Sequence, residues 1–135
     1  MNVIKELLNA DDILVNQADN KGRTPLYTAC EKNYSNVIKE LLKVNGIKIN
    51  QAMKNGATPL IIATYLGNFA AVEILLSNEL IDTSLLFEDR TAAHYTKANN
   101  KVASWSFLDK DVSEEGRVKC KTLLRSHATT NHKNK

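Results

Sequence analysis

The segment VNQADNKGRTPL, ending at Leu26, returns as INQAMKNGATPL, ending at Leu60, after 34 residues. No other feature restricts the fold so tightly. Residues 3–42 laid over 37–76 give 17 identities in 40 positions. VIKELL at 3–8 recurs unchanged at 37–42, and Leu41 and Leu42 recur as Leu75 and Leu76. Ile13, Asn16, Gln17 and Ala18 recur as Ile47, Asn50, Gln51 and Ala52, and Gly22, Thr24, Pro25, Leu26 and Ala29 as Gly56, Thr58, Pro59, Leu60 and Ala63. A period of this length holds a whole supersecondary unit, which implies stacked copies sharing one continuous core.

Each copy reads as two helices and a tight loop. Thr24-Pro25 and Thr58-Pro59 open a first helix: the hydroxyl caps free amides, and proline has a preset φ and no amide to leave unpaired. The first helices lie in TPLYTACEKN and TPLIIATYLG and end at Asn33 and Gly67, residues suited to the left-handed conformation. Second helices carry buried stripes at Val37, Ile38, Leu41 and Leu42, then at Val72, Leu75 and Leu76. Gly22 and Gly56 mark polar loops in which the chain reverses tightly, and Gly56 is expected at positive φ.

These motifs resemble the ankyrin repeat. Residues 19–30, DNKGRTPLYTAC, match its signature closely, with Tyr27 in place of the usual His. Residues 53–64, MKNGATPLIIAT, match nearly as well, and EDRTAAHY at 88–95 is a degraded third copy. In that copy Asp89 stands where Gly is expected and Ala92 where Pro is expected. Its second helix resumes at about Glu115, with Leu123 and Leu124 as the double-Leu position. The resemblance implies an all-α helix-turn-helix repeat solenoid with short hairpin-like loops. One domain is expected over 1–126: a half repeat or cap at 1–18, repeats at 19–52 and 53–85, and a degraded repeat at 86–126 with an insertion at about 100–115. Residues 127–135 are expected to form a disordered basic tail. Trp105, Phe107 and Leu108 of the insertion are expected to fold back and cap the open end of the stack, the alternative being a partner-docking loop.

Composition excludes other classes. The chain has 135 residues, 43% of them apolar, which suits one modest core. No apolar run reaches the roughly 20 residues of a membrane span, and MNVIKELLNADD lacks the pattern of a signal peptide. Cys30 and Cys120 are far apart, which suggests a reducing, intracellular compartment, cytoplasmic or otherwise. Residues 117–135 hold six Lys/Arg and no acid, against twelve Lys/Arg and fifteen acids elsewhere. That basic end has no interleaved aromatics, so neither nucleic acid nor membrane is expected as a partner.

Catalytic groups are sparse. His94 falls at the structural His of the ankyrin pattern, and His127 and His132 lie in the polar tail. Cys30 occupies a small-residue position. Asp109 and Asp111 lack calcium-loop spacing. There is no P-loop and no G-x-S-x-G. No enzyme activity, metal or cofactor is expected.

The resemblance implies a monomeric protein–protein interaction module that binds an unidentified protein through its loop tips and concave inner-helix face. Carried over by position, the tips are Asn20, Lys21 and Arg23, then Lys54, Asn55 and Ala57, then Phe87, Glu88 and Arg90. The inner-helix positions are Glu31 and Lys32, then Tyr65 and Leu66, then Ala98 and Asn99. Tyr65 and Leu66 are adjacent large side chains at positions that the family leaves exposed, so either an interface anchor or scattered surface apolars fits. The alternative reading is a structural or regulatory ankyrin fragment of a larger protein, or a bacterial effector acting on host proteins.

Overall fold

The computed structural model describes residues 15–85, 87, 88, 90–96, 108 and 111–133. Helices α1 (Pro25–Glu31) and α2 (Ser35–Leu42) form the first unit, and α3 (Pro59–Leu66) and α4 (Phe69–Leu76) the second. The third unit contains a 3-10 helix, η1 (Ala92–Thr96), and the long helix α5 (Glu114–Lys133). Among the described residues no β-strand occurs, only an isolated antiparallel bridge between Phe87 and Arg90. The fold is the expected all-α ankyrin solenoid.

Local chemistry sets the helix ends. The Thr24 hydroxyl accepts from Tyr27 N at 3.1 Å and that of Thr58 from Ile61 N at 3.2 Å, with proline next in each case. Asn33 (φ 58°) and Gly67 (φ 77°) take the left-handed conformation just after α1 and α3. At the first tip Asp19 N donates to Arg23 O and Gly22 N to Asp19 O, both at 3.0 Å. The second tip repeats this with Met53 N to Ala57 O (2.8 Å) and Gly56 N to Met53 O (2.9 Å). Both are three-residue hairpin turns whose last residue must have positive φ, and Gly22 (91°) and Gly56 (95°) supply it.

Stacking joins the units. α3 packs against α1 on one side and η1 on the other, while α4 lies between α2 and α5. Leu41 and Leu75 are buried, with Leu42 and Leu76 packed at the core margin. The Asn16 amide donates to Gly46 O and accepts from Lys48 N, both at 2.9 Å. Its repeat-mate Asn50 does the same one unit on, with Leu80 O (2.8 Å) and Asp82 N (2.9 Å). Helix ends are served across the unit boundary: Asn33 Oδ1 accepts from Ala71 N at the start of α4 at 3.2 Å, and Asn68 Nδ2 donates to Cys30 O and Glu31 O at the end of α1. These bonds satisfy helix-end groups that would otherwise face apolar neighbours unpaired.

The third unit departs in several ways. Its tip is a two-residue hairpin, with Phe87 N to Arg90 O at 2.9 Å and Arg90 N to Phe87 O at 3.1 Å. One residue shorter than the other tips, it places positive φ on Glu88 (51°). Without proline at Ala92, the first helix is a short 3-10 turn. The second helix begins at Glu114, one residue before the expected point, where Ser113 Oγ accepts from Gly116 N at 3.0 Å. Counting from this cap, Cys120 holds the place of Leu41 and Leu75. It is fully buried, whereas Leu123 is only partly buried and Leu124 lies a turn further on. The expected double-Leu assignment is therefore corrected by one turn.

The expectation of a disordered tail from residue 127 is also corrected, because α5 continues to Lys133. No glycine or proline follows Gly116, acids at Glu114 and Glu115 sit at the start, and basic residues lie toward the end, all favourable to the helix dipole. Leu108 is buried in the core cluster, while Trp105 and Phe107 lie outside the described residues.

α5 docks by a backbone contact. A Cβ on Gly116 would lie 1.8 Å from Gly67 O, and a Cβ on Gly67 would lie 2.2 Å from Ser113 O. Only two glycines allow this approach. Gly116→Ala should therefore undock α5. Burial pushes the Cys120 thiol up to about 12, against the opposing pull of Arg117, so the thiolate that reacts with labels is scarce at neutral pH. In the variant, Cys120 should react with a maleimide under native conditions while Cys30 stays protected. Continued protection of both thiols with an unchanged melting curve would refute this docking.

Leu75 is fully buried between units. Leu75→Ala should cost about 2–5 kcal/mol in urea unfolding, and a loss below about 0.5 kcal/mol would contradict the stacked core.

Candidate partner-binding face

The tips are exposed and mutually braced. Asn20, Lys21, Lys54, Asn55, Glu88 and Arg90 are exposed, and Arg23 is partly so. Lys54 N donates to Lys21 O at 3.3 Å, which binds the first two tips to each other. Gly22 makes room for this, since a Cβ there would lie 2.8 Å from Lys54 N. At the end of α1, Lys32 is exposed and Glu31 is largely covered, their charged groups 3.7 Å apart.

The structure corrects four of the positions expected at the surface. Tyr65 and Leu66 are buried, at 0% and 1% exposure, and neither reading of them as surface residues stands. The third unit covers them. Arg117 Nε donates to Tyr65 O at 2.6 Å, its guanidinium lies 4.7 Å from the Tyr65 ring centre, and Ser113 N donates to Leu66 O at 2.8 Å. Tyr95 meets the same ring edge-on at 6.4 Å. Ala57 and Phe87 are buried as well: Ala57 follows the left-handed glycine and turns into the core, and Phe87 packs on Tyr95, whose hydroxyl donates to Phe87 O. Ala98 and Asn99 lie outside the described residues.

Sequence reasoning missed Arg117. Counted from the helix cap it stands where Ile38 and Val72 stand in the other units, yet it is 1% exposed. Its charge is accommodated by the Tyr65 carbonyl and ring and by Glu114, 3.3 Å from Nη1. Cation–π and charge-assisted bonds of this kind offset the loss of hydration. The available signal was the four-residue spacing from cap to buried position shared by the three second helices, which requires knowing where the third one starts.

The tip electrostatics differ between units. Asp19 Oδ1 accepts from Lys21 N (3.0 Å) and Arg23 N (2.8 Å), and Oδ2 from Arg23 Nε (2.7 Å). The Arg23 backbone bond, aided by the Arg23 guanidinium and the Lys21 amide, holds this carboxyl below the usual carboxylate range. In the second tip the corresponding residue is Met53, and Asn55 Oδ1 accepts from Ala57 N at 3.0 Å without a charge. An open groove beside α1 is lined by Ala18, Asp19, Arg23, Pro25, Thr28 and Tyr34. Its one acid is already bound to its own arginine.

Nothing among the described residues assembles into a reaction centre. No group of three or more His, Cys, Asp or Glu is placed to hold a metal. His94 packs edge-on against Tyr95 at 5.2 Å. Burial pushes both the Cys30 and the Cys120 thiols well up. No described helix is long and apolar enough to cross a membrane.

A family model described as ankyrin repeats (3 copies) matches residues 1–85. No curated protein matches the chain. Ankyrin repeats are generally protein–protein interaction modules and are typically non-catalytic. The matched residues, the capped helix pairs and the 34-residue stacking agree: the chain belongs to the ankyrin-repeat family.

Proposed function

We propose that this chain is a non-catalytic recognition module that holds a partner protein against its tips and the exposed end of α1. The contact set is Asn20, Lys21, Arg23, Lys54, Asn55, Glu88 and Arg90, with Glu31 and Lys32. Tyr65 and Leu66 are left out because they belong to the core. The observation that carries the reading is the bracing of exposed tips by the Lys54–Lys21 backbone bond, since a rigid array loses little entropy on binding. Neither nucleic acid nor membrane is assigned. The module acts as a monomer in this reading, because α5 covers the second unit where a further copy would stack. Two buried free thiols support a place in a reducing, intracellular compartment.

The test is capture of partners by the intact immobilised chain, alongside a variant carrying Lys21→Ala and Lys54→Ala. These side chains are exposed, so thermal stability should stay within about 1 kcal/mol of the parent. Specific partners should be lost from the variant. Retention of every partner by a variant with normal stability would place binding elsewhere.

A further inference from the structure

We infer that the first two tips form a receptor for an acidic segment of the partner protein, with carboxylates seated at Lys21 and Lys54. This rests on the tip-binding reading above and names the chemistry of what binds there.

The argument is one of charge left over after local pairing. Asp19 is the acid of the first tip, and all three hydrogen bonds of its carboxylate go to its own loop. Its charge is matched by Arg23 at 2.7 Å. Lys21, exposed in the same loop, has no counter-ion among the described residues. The second tip has no acid, because Met53 replaces Asp19 and the neutral Asn55 takes over the loop's hydrogen bond. Lys54 is exposed there and also has no ion pair among the described residues. The ion pairs among the described residues employ Arg23, Lys32, Lys43, Arg117 and Lys119, and neither tip lysine takes part.

The two lysines are also held side by side. The bond from Lys54 N to Lys21 O fixes the backbones of the two positions against each other. Two like charges on adjoining backbones repel, and an anion shared between them relieves that repulsion. The setting sharpens the contrast. Residues 1–116 carry twelve Lys/Arg against fifteen acids, yet the first two tips hold Lys21, Arg23 and Lys54 against Asp19 alone. The third tip reverses sign in sequence, with Glu88 and Asp89 preceding Arg90. The row therefore has a polarity: acids are favoured over the first two tips and opposed at the third. Exposed pairs of this kind act mainly through encounter rate, orientation and salt sensitivity.

The probe is a fluorescein-labelled Glu–Ser peptide, read by anisotropy on the full chain at low salt. Its Gln–Ser counterpart and a single-stranded RNA of equal length serve as comparisons. The Glu–Ser peptide should bind, weaken as salt rises, and lose roughly tenfold in affinity to the Lys21→Glu/Lys54→Glu variant, as two exposed charge contacts allow. The Gln–Ser peptide should not bind. Lys39→Glu/Lys48→Glu, reversing exposed lysines outside the tips, should leave affinity unchanged. Failure of the Glu–Ser peptide to bind, equal binding by the tip variant, or RNA binding as tight and as tip-dependent would overturn the inference. If the neutral tip variant loses captured partners while the Glu–Ser peptide does not bind, the acidic segment is refuted and the tip-binding reading stands.

Discussion

The structure depends on one helix that is buried all round. Every residue of α3, from Pro59 to Leu66, is buried. It packs between α1 and η1, with α4 and α5 on its remaining sides. A helix with no polar face can exist in water only if neighbours cover it entirely. Both neighbouring units help to cover this helix, so the three units share one continuous core.

That demand explains the third unit. It has lost the proline and the glycine that shape the first two, and its first helix is a single 3-10 stretch. The missing cover is supplied by other means. Tyr95 and Phe87 pack beneath the tip, and the start of α5 is brought onto the α3–α4 turn by the Gly67–Gly116 contact. The glycines bring the backbones close enough for Ser113 N and Arg117 Nε to bond the last carbonyls of α3. In the middle of the stack Asn68 makes the corresponding bonds to Cys30 O and Glu31 O. α5 then runs about 30 Å, against about 12 Å for α4. Its last turns therefore extend beyond the helix it packs on.

The same demand leaves α3 without a free face. Side chains of α3 are consumed by packing, while Asn20, Lys21, Lys54 and Asn55 of the tips and Lys32 at the end of α1 stay exposed. Loops held by a rigid scaffold are where binding groups concentrate. Here the scaffold includes the tips themselves, through the Lys54–Lys21 bond and the close approach at Gly22. The buried thiols and the Asp19–Arg23 pair are engaged internally.

The sequence by itself determined everything that is local or periodic. Thr24, Pro25, Thr58 and Pro59 set helix starts, Asn33 and Gly67 set helix ends, and Gly22 and Gly56 set the tip turns, because caps and positive φ depend on neighbours along the chain. The 34-residue period fixed which second-helix leucines meet across units, and the exposure of Lys21 and Lys54 followed from their place in the turns. Tertiary structure alone decided the burial of Tyr65 and Leu66, of Phe87, and of a charged Arg117 in an apolar position. Each depends on where α5 arrives after a long insertion, and no periodic signal crosses that insertion. Gly116 reads in sequence as a flaw in a helix; only the carbonyl of Gly67 pressed against it shows why a side chain has no room there.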